Sequence, residues 1–348
     1  MGRANSIALV VKILLKNLAG LFVGFILAVL SVWILELAAG WALTHQKQNI
    51  PQEDLRMSRG FRFPDSDLGY RPLPNQHHAV WKQIDGKTIY QAVYTMDPFG
   101  RRVTPTQKRE RRNQFLLFFG GSTTLGEGVQ NKETLPFWAG TLAEKHTPYN
   151  YGFSGYGPQQ MLAILESGRL KQEIQEKKGI AIYSFIDGHV NRAIGDMHVF
   201  NAWAGNAPFY VLEDGQVVRK GSFLSGRPWL SKIYRFLGQR NLVRYFKINH
   251  PIRIHGEHIR LTAKMFEKAQ DMLQEQFPGS DFYVLFWPGW TEFKDRLQKE
   301  LDELGVPYWD YSELLDREAP DMMIEGDGHP TSKAYKKVAE RLTDDLRI

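Results

Sequence analysis

Phe118-Phe119-Gly120-Gly121-Ser122-Thr123-Thr124-Leu125-Gly126-Glu127-Gly128-Val129 reads as a buried strand that runs into glycines, a serine and the start of a helix. A turn of this kind lifts a side chain out of a sheet. The small residues ahead of Ser122 allow close backbone approach, and the carboxyl end of a strand is where open α/β sheets place ligands. A phosphate-binding loop is excluded, because no Gly-Lys-Ser/Thr follows the glycines. By itself the stretch reads first as a glycine-rich turn with Ser122 capping a helix. The rest of the chain decides whether the serine does more.

From residue 115 onward, apolar strands alternate with helical stretches, the order of elements that builds a parallel sheet covered on both faces. Strands are expected at 115–119, 149–151, 179–186, 281–287 and 306–310, and helices at 133–146, 158–175, 257–277, 292–304 and 332–346. The third of these helices carries Ile259, Ala263, Phe266, Ala269 and Leu273 at amphipathic spacing. Residues 193–256 interrupt the alternation as a long insertion, with a hairpin of 209–212 against 217–219 around Glu213-Asp214-Gly215. Its second half sets Trp229, Tyr234, Phe236, Tyr245 and Phe246 among Arg227, Lys232, Arg235, Arg240, Arg244 and Lys247. Packing of this insert onto the core is the leading expectation; capping a site, touching a bilayer and gripping an acidic sugar polymer are the alternatives.

Near the other end, Glu325-Gly326-Asp327-Gly328-His329-Pro330 lies between the last short strand and the last helix, so an acid and a base share one loop. In a sheet of this kind the loops after the first and last strands can meet at one edge, which would bring His329 to Ser122. A serine hydroxyl is a weak nucleophile until a base takes its proton. That base needs an orienting carboxylate, for which Asp327 is the first candidate. An acyl-transfer site also needs donors aimed at an oxyanion. Asn150-Tyr151-Gly152-Phe153-Ser154-Gly155-Tyr156-Gly157 offers backbone N–H groups at a strand-to-helix position, with Gly155 the best placed. Phe185-Ile186-Asp187-Gly188-His189-Val190-Asn191-Arg192 crowds polar groups at the end of another strand. Each of these two loops, taken alone, reads as an ordinary turn.

Together, these blocks make the run from about 115 to 348 resemble the SGNH (GDSL-type) hydrolase superfamily. Gly121-Ser122-Thr123-Thr124-Leu125-Gly126 resembles its first block, Asn150-x-Gly152-x-x-Gly155 its second, and Asp327-x-His329-Pro330 its last. The resemblance implies a flavodoxin-like three-layer α/β/α domain. It also implies Ser122 as nucleophile and oxyanion donor, Gly155 as a second donor, His329 as base and Asp327 as its partner.

The chain departs from the family pattern at three places. Gly121 stands where the namesake Asp usually is. The third block usually supplies an Asn side chain to the oxyanion, whereas this chain has Asp187-Gly188-His189 and no Asn until Asn191. Asp187, Gly188, His189, Asn191 and Arg192 therefore stand as residues lining the site, with the third donor open. The last block is one residue tighter than the usual Asp-x-x-His and is similar to the Asp-x-His of alginate-type O-acetyltransferases, so Glu325 and Asp310 remain alternatives for the acid. Asp67-Leu68-Gly69-Tyr70-Arg71-Pro72 and Asp97-Pro98-Phe99-Gly100-Arg101 resemble pieces found ahead of this domain in membrane-anchored bacterial members, and read as domain-edge packing.

The N-terminal end has a different texture. Residues 18–35 carry no charge, and 37–43 extend the run past Glu36. That length spans a bilayer, whereas a secretory signal has an apolar region of only about 7–15 residues. The expected organisation is a cytoplasmic tail over 1–16, a transmembrane helix over 17–43, a stem and domain-edge segment over 44–110, and the hydrolase-like domain over 111–348. A cleaved signal is the alternative. Arg3, Lys12 and Lys16 favour the N-terminus inside, which places the body outside the cytoplasm at a cell inner membrane.

Composition adds exclusions. Hydrophobic residues at 43% and charged residues at 24% fit an ordinary folded chain rather than a disordered one. With no cysteine there is no disulfide, thiolate nucleophile or cysteine zinc site. The basic cluster Lys108, Arg109, Arg111 and Arg112, with Arg101 and Arg102 nearby, reads as a solvated face, without a nucleic-acid motif. The expectation is a serine esterase or O-acyltransferase without metal or organic cofactor. Its expected substrate is an acylated envelope glycan or other extracytoplasmic ester, with envelope polysaccharide machinery as the partner class. The competing reading is a non-catalytic envelope glycan-binding or assembly protein on the same scaffold.

Overall fold

The computed structural model describes residues 2–47, 52–106, 112–289 and 291–348. The chain divides into two compact units, Met1–Ile50 with Arg235–Asn249, and Pro51–Tyr234 with His250–Ile348. In the first unit α1 (Gly2–Lys47) is one continuous helix, and its part Leu14–Gln46 is long and apolar enough to cross a membrane.

The second unit begins with β1 (Glu53–Met57), β2 (Phe63–Asp65), β3 (Gly69–Arg71), β4 (His77–Ile84) and β5 (Lys87–Thr95). β1, β4 and β5 form an antiparallel sheet in the order β1-β4-β5, and β2 and β3 form a separate hairpin. Along β4 and β5 alternate residues turn inward, so His78, Val80 and Lys82 are buried from one strand and Tyr90, Ala92 and Tyr94 from the other. The segment read as a stem therefore builds a wall of this unit, sharing a core with the strands that follow.

Those strands are β6 (Gln114–Gly120), β7 (His146–Asn150), β8 (Gly179–Phe185), the hairpin β9 (Pro208–Glu213) and β10 (Gln216–Ser222), then β11 (Asp281–Phe286) and β12 (Tyr308–Asp310). Five of them form a parallel sheet in the order β12-β11-β8-β6-β7. Counted in chain order this is 2-1-3-4-5, the flavodoxin-like arrangement. The helices after α1 are α2 (Ser122–Leu125), α3 (Leu135–Leu142), α4 (Pro158–Glu166), α5 (Leu170–Glu173), α6 (Gly188–Ile194), α7 (Met197–Val199), α8 (Phe223–Gly226), α9 (Pro228–Gly238), α10 (Asn241–Tyr245), α11 (Gly256–Gln276), α12 (Lys294–Leu304) and α13 (Ser332–Leu346).

β6 shows why the sheet is covered on both faces. Phe115, Leu117 and Phe119 join a core with Leu162 and Leu165 of α4 and Phe266 of α11, whereas Leu116 and Phe118 join another with Leu135 of α3 and Val338 of α13. Each such side chain stabilises the fold by roughly 1.5–3 kcal/mol on burial. Phe118 pairs with Asn150 and Gly120 with Ser184, so the loops after β6, β7 and β8 emerge at one edge of the sheet.

Several expected boundaries move. The helix expected over 133–146 is only Leu135–Leu142, because Thr134 caps it by accepting from the Phe137 amide at 3.2 Å and His146 already begins β7. The helix expected over 158–175 breaks at Gly168, whose φ of +67° ends α4 before α5 begins. The helix expected from 292 starts at Lys294. Arg101 and Arg102 are buried rather than solvated, and Arg112 is half-buried. Lys108, Arg109 and Arg111 lie outside the described residues.

Candidate active site

The turn after β6 is built for close approach. Gly120 has φ +147°, and a Cβ there would lie 2.2 Å from Thr124 Oγ1 and 3.0 Å from the Ser184 carbonyl. The chain then makes a single helical turn, with the Gly126 amide donating to the Ser122 carbonyl at 2.9 Å. Arg102 holds this turn from behind, donating to the carbonyls of Leu125 (2.8 Å), Gly126 (2.5 Å) and Val129 (2.6 Å). Its guanidinium also stacks 4.0 Å above the Tyr94 ring. Asn150 Nδ2 reaches the Thr124 carbonyl at 3.1 Å, and Tyr335 of α13 donates to the Thr123 carbonyl at 2.8 Å. Ser122 is thereby fixed at the rim of the sheet, half-buried.

The two distant stretches meet at this rim. His329 Nε2 lies 2.8 Å from Ser122 Oγ, and His329 Nδ1 lies 2.5 Å from Asp327 Oδ1. The short Asp-x-His spacing reaches because the loop folds back on itself. The Asp327 and Gly328 amides both donate to the Ile324 carbonyl, and Gly326 and Gly328 take φ of +78° and +85°. Burial acts to lower the pKa of His329, but its bond with Asp327 and the negative charges of Glu127 and Asp327 outweigh that and hold it above the ordinary histidine value. Burial acts to raise that of Asp327, but His329 and Lys82 outweigh it and keep the carboxylate ionised.

Lys82 is the group that sequence reasoning missed. It projects inward from β4, is 8% exposed, and places Nζ 3.0 Å from Asp327 Oδ2 and 3.4 Å from Glu53. Asp327 is thus gripped on one oxygen by the His329 imidazole and on the other by the Lys82 ammonium group. No local pattern marks a lysine in a strand 245 residues away as the partner of this acid. Of the alternative acids, Glu325 is exposed, and Asp310 is held by Lys294 at 3.1 Å and Gln298 at 3.0 Å.

In the loop after β7, Gly155 sits in a left-handed turn with φ +83°. A Cβ there would meet Tyr70 Oη at 2.4 Å and Trp203 Nε1 at 2.8 Å. Tyr70 donates to the Ser154 carbonyl at 2.8 Å, so the segment read as domain-edge packing buttresses this loop. Ser154 in turn donates to the buried Glu127 at 2.6 Å. The amides of Ser122 and Gly155 donate to no acceptor among the described residues.

The residues carried as lining the site divide. Asp187 faces elsewhere, accepting from the Glu292 and Phe293 amides at 2.9 and 3.1 Å. Asn191 is taken by Asp196 at 2.7 Å, and Gly188 opens α6. His189 and Arg192 flank the nucleophile turn. A Cβ on Gly121 would lie 2.5 Å from Arg192 Nη1 and 3.0 Å from His189 Nε2, so these two groups fill the space that an Asp side chain at 121 would need. Burial drives His189 well below the ordinary histidine range, with Arg192 adding to the effect. Its Nδ1 accepts from the Ile186 amide at 3.3 Å, which puts the ring proton on Nε2. That N–H has no hydrogen-bond partner among the described residues.

No family model and no curated protein matches the sequence. Solved structures similar to this chain include an acetyl xylan esterase from the rumen bacterium Butyrivibrio proteoclasticus, at 10% identity over 85% of this chain and 87% of that one with a TM-score of 0.41. A member of the lipolytic G-D-S-L family from Veillonella parvula shares 13% identity over 66% of this chain and 97% of that one, with a TM-score of 0.37. An acetylxylan esterase from Geobacillus stearothermophilus shares 11% identity over 68% and 95%, with a TM-score of 0.38.

Proposed function

We propose that this chain is a membrane-anchored serine esterase or O-acyltransferase of the SGNH type. The observation that carries this reading is the unbroken line Ser122 Oγ, His329 Nε2, His329 Nδ1 and Asp327 Oδ1, with both contacts within hydrogen-bond reach. Ser122 Oγ attacks an ester carbonyl as His329 takes its proton, and the oxyanion is held by the amides of Ser122 and Gly155. Collapse expels the alcohol, which leaves with the proton from His329, and the acyl group stays on Ser122. A second hydroxyl, from water or from a sugar, then attacks while His329 again accepts the proton, and collapse breaks the acyl–Ser122 bond as His329 returns the proton to Ser122 Oγ.

Asp327 keeps the imidazole in the tautomer that presents Nε2 to Ser122, and Lys82 keeps Asp327 ionised and aimed. His189 Nε2–H is buried beside Gly121 and leaves the oxyanion to the two backbone amides.

The anchor helix supports an acylated glycan or lipid of a cell envelope as the substrate class, with the second unit on the extracytoplasmic side. Full-length protein in detergent should hydrolyse p-nitrophenyl acetate, and Ser122→Ala should not. Adding a soluble oligosaccharide acceptor separates the two outcomes. Acetylated sugar marks a transferase, and acetate alone marks an esterase. Absence of turnover in the wild type would move the chain to the glycan-binding reading.

A further inference from the structure

The first unit contains a carboxylate in an apolar helix and an explanation for it. Between Lys16 and Glu36 no residue of α1 is charged, and twenty residues of helix span about 30 Å, the thickness of a hydrocarbon core. Glu36 is thus at the far boundary of that core if Lys16 is at the near one. Glu36 is also occupied: its two oxygens accept from the amides of Asn241 (2.6 Å) and Leu242 (2.9 Å), while Asn241 Nδ2 donates to the Glu36 carbonyl at 3.3 Å. Gly40 makes the approach possible, since a Cβ there would lie 2.7 Å from Asn241 Nδ2. The start of α10 is therefore latched to the anchor helix at the depth where hydrocarbon gives way to headgroups.

The segment so latched has the composition of an interfacial element. Residues 235–249 contain Arg235, Arg240, Arg244 and Lys247 and no acidic residue. Phe236 is 60% exposed, Phe246 65% and Ile248 49%, and the ring contacts of the two phenylalanines are with their own segment, Arg240 over Phe236 and Tyr245 edge-on to Phe246. Aromatic rings beside basic side chains suit the belt where acyl chains meet anionic headgroups.

We infer that residues 235–249 lie in the headgroup layer of the bilayer, with Phe236, Phe246 and Ile248 in the acyl boundary and Arg244 and Lys247 on anionic phospholipid headgroups. Glu36 is the latch that fixes their depth. The inference rests on α1 being a membrane span.

The chain has no cysteine, so single-cysteine spin labels report one position each. Labels at Leu27→Cys, Phe246→Cys, Ile248→Cys and Lys132→Cys would be compared in full-length protein, reconstituted in phosphatidylethanolamine–phosphatidylglycerol nanodiscs. The readout is collision with oxygen against collision with a water-soluble nickel chelate. Leu27 should be oxygen-dominated, the exposed Lys132 nickel-dominated, and 246 and 248 between them. In the same membranes Arg244→Gln with Lys247→Gln should shift 246 and 248 toward the Lys132 value. Nickel access at 246 and 248 equal to that at Lys132, with Leu27 still lipid-like, would overturn the inference alone. Shielding of 246 and 248 from both reagents would overturn it in favour of a covering protein. An aqueous Leu27 would instead remove the span on which it rests. Positions unmoved by the double substitution would contradict the anionic-headgroup contact.

Discussion

At the scale of single residues, the chemistry of the site depends on how protons are held. His329 must be neutral to accept the Ser122 proton, and its pKa is raised, so kcat/KM should fall on the acid side with a midpoint above the ordinary histidine value. Lys82 opposes that rise through its positive charge. Lys82→Met should therefore move the acid limb to higher pH, which a purely structural loss would not do; an unmoved limb would remove Lys82 from the electrostatics of the site. Asp327→Asn should lower kcat by roughly 10³–10⁴-fold by favouring the wrong tautomer. His189→Ala should lower kcat less than about 10-fold, because its buried Nε2–H leaves the oxyanion to the backbone amides; a loss of about 10²-fold at unchanged KM would instead make it a donor.

At the scale of elements, the nucleophile turn depends on partners far from it in the chain. Arg102→Met would remove a donor from three carbonyls, of which Leu125 keeps Asn150 Nδ2 and Gly126 keeps the Val129 amide, and should cost about 1–3 kcal/mol in stability, measured by denaturant unfolding of the detergent-solubilised chain. Gly155→Ala would force a side chain into a left-handed turn already filled by Tyr70 and Trp203, so activity should drop before stability does.

β6, β8 and β11 were legible in the sequence because each is a short apolar run closed by turn residues, whereas β7, expected at 149–151, begins at His146 because His-Thr-Pro-Tyr-Asn carries no apolar run to mark it. The Asp327–His329 pair was legible because its members share one loop. β5 was visible as a Tyr- and Val-bearing strand piece of the stem, Thr88–Tyr94, but β4, its pairing with β5 and Lys82 were not, because a half-buried strand with polar residues reads as a stem until its partner surface is known. Nor was the pairing of Gly121 with His189 and Arg192, since a glycine records only that space is taken, not by what.

At the scale of the whole molecule, the proposed function puts the α/β unit outside the cytoplasm. In intact cells a single cysteine at Lys132 should react with a membrane-impermeant maleimide without permeabilisation; labelling only after lysis would place the α/β unit in the cytoplasm. In the proposed mechanism Ser122 and His329 act as one unit across 207 residues of chain. A fluorophosphonate probe followed by peptide mass spectrometry reads this out. The adduct should map to Ser122, be absent in Ser122→Ala, and form at least about 10²-fold more slowly in His329→Ala. A wild-type chain that stays unlabelled, or one labelled at another serine, would contradict it.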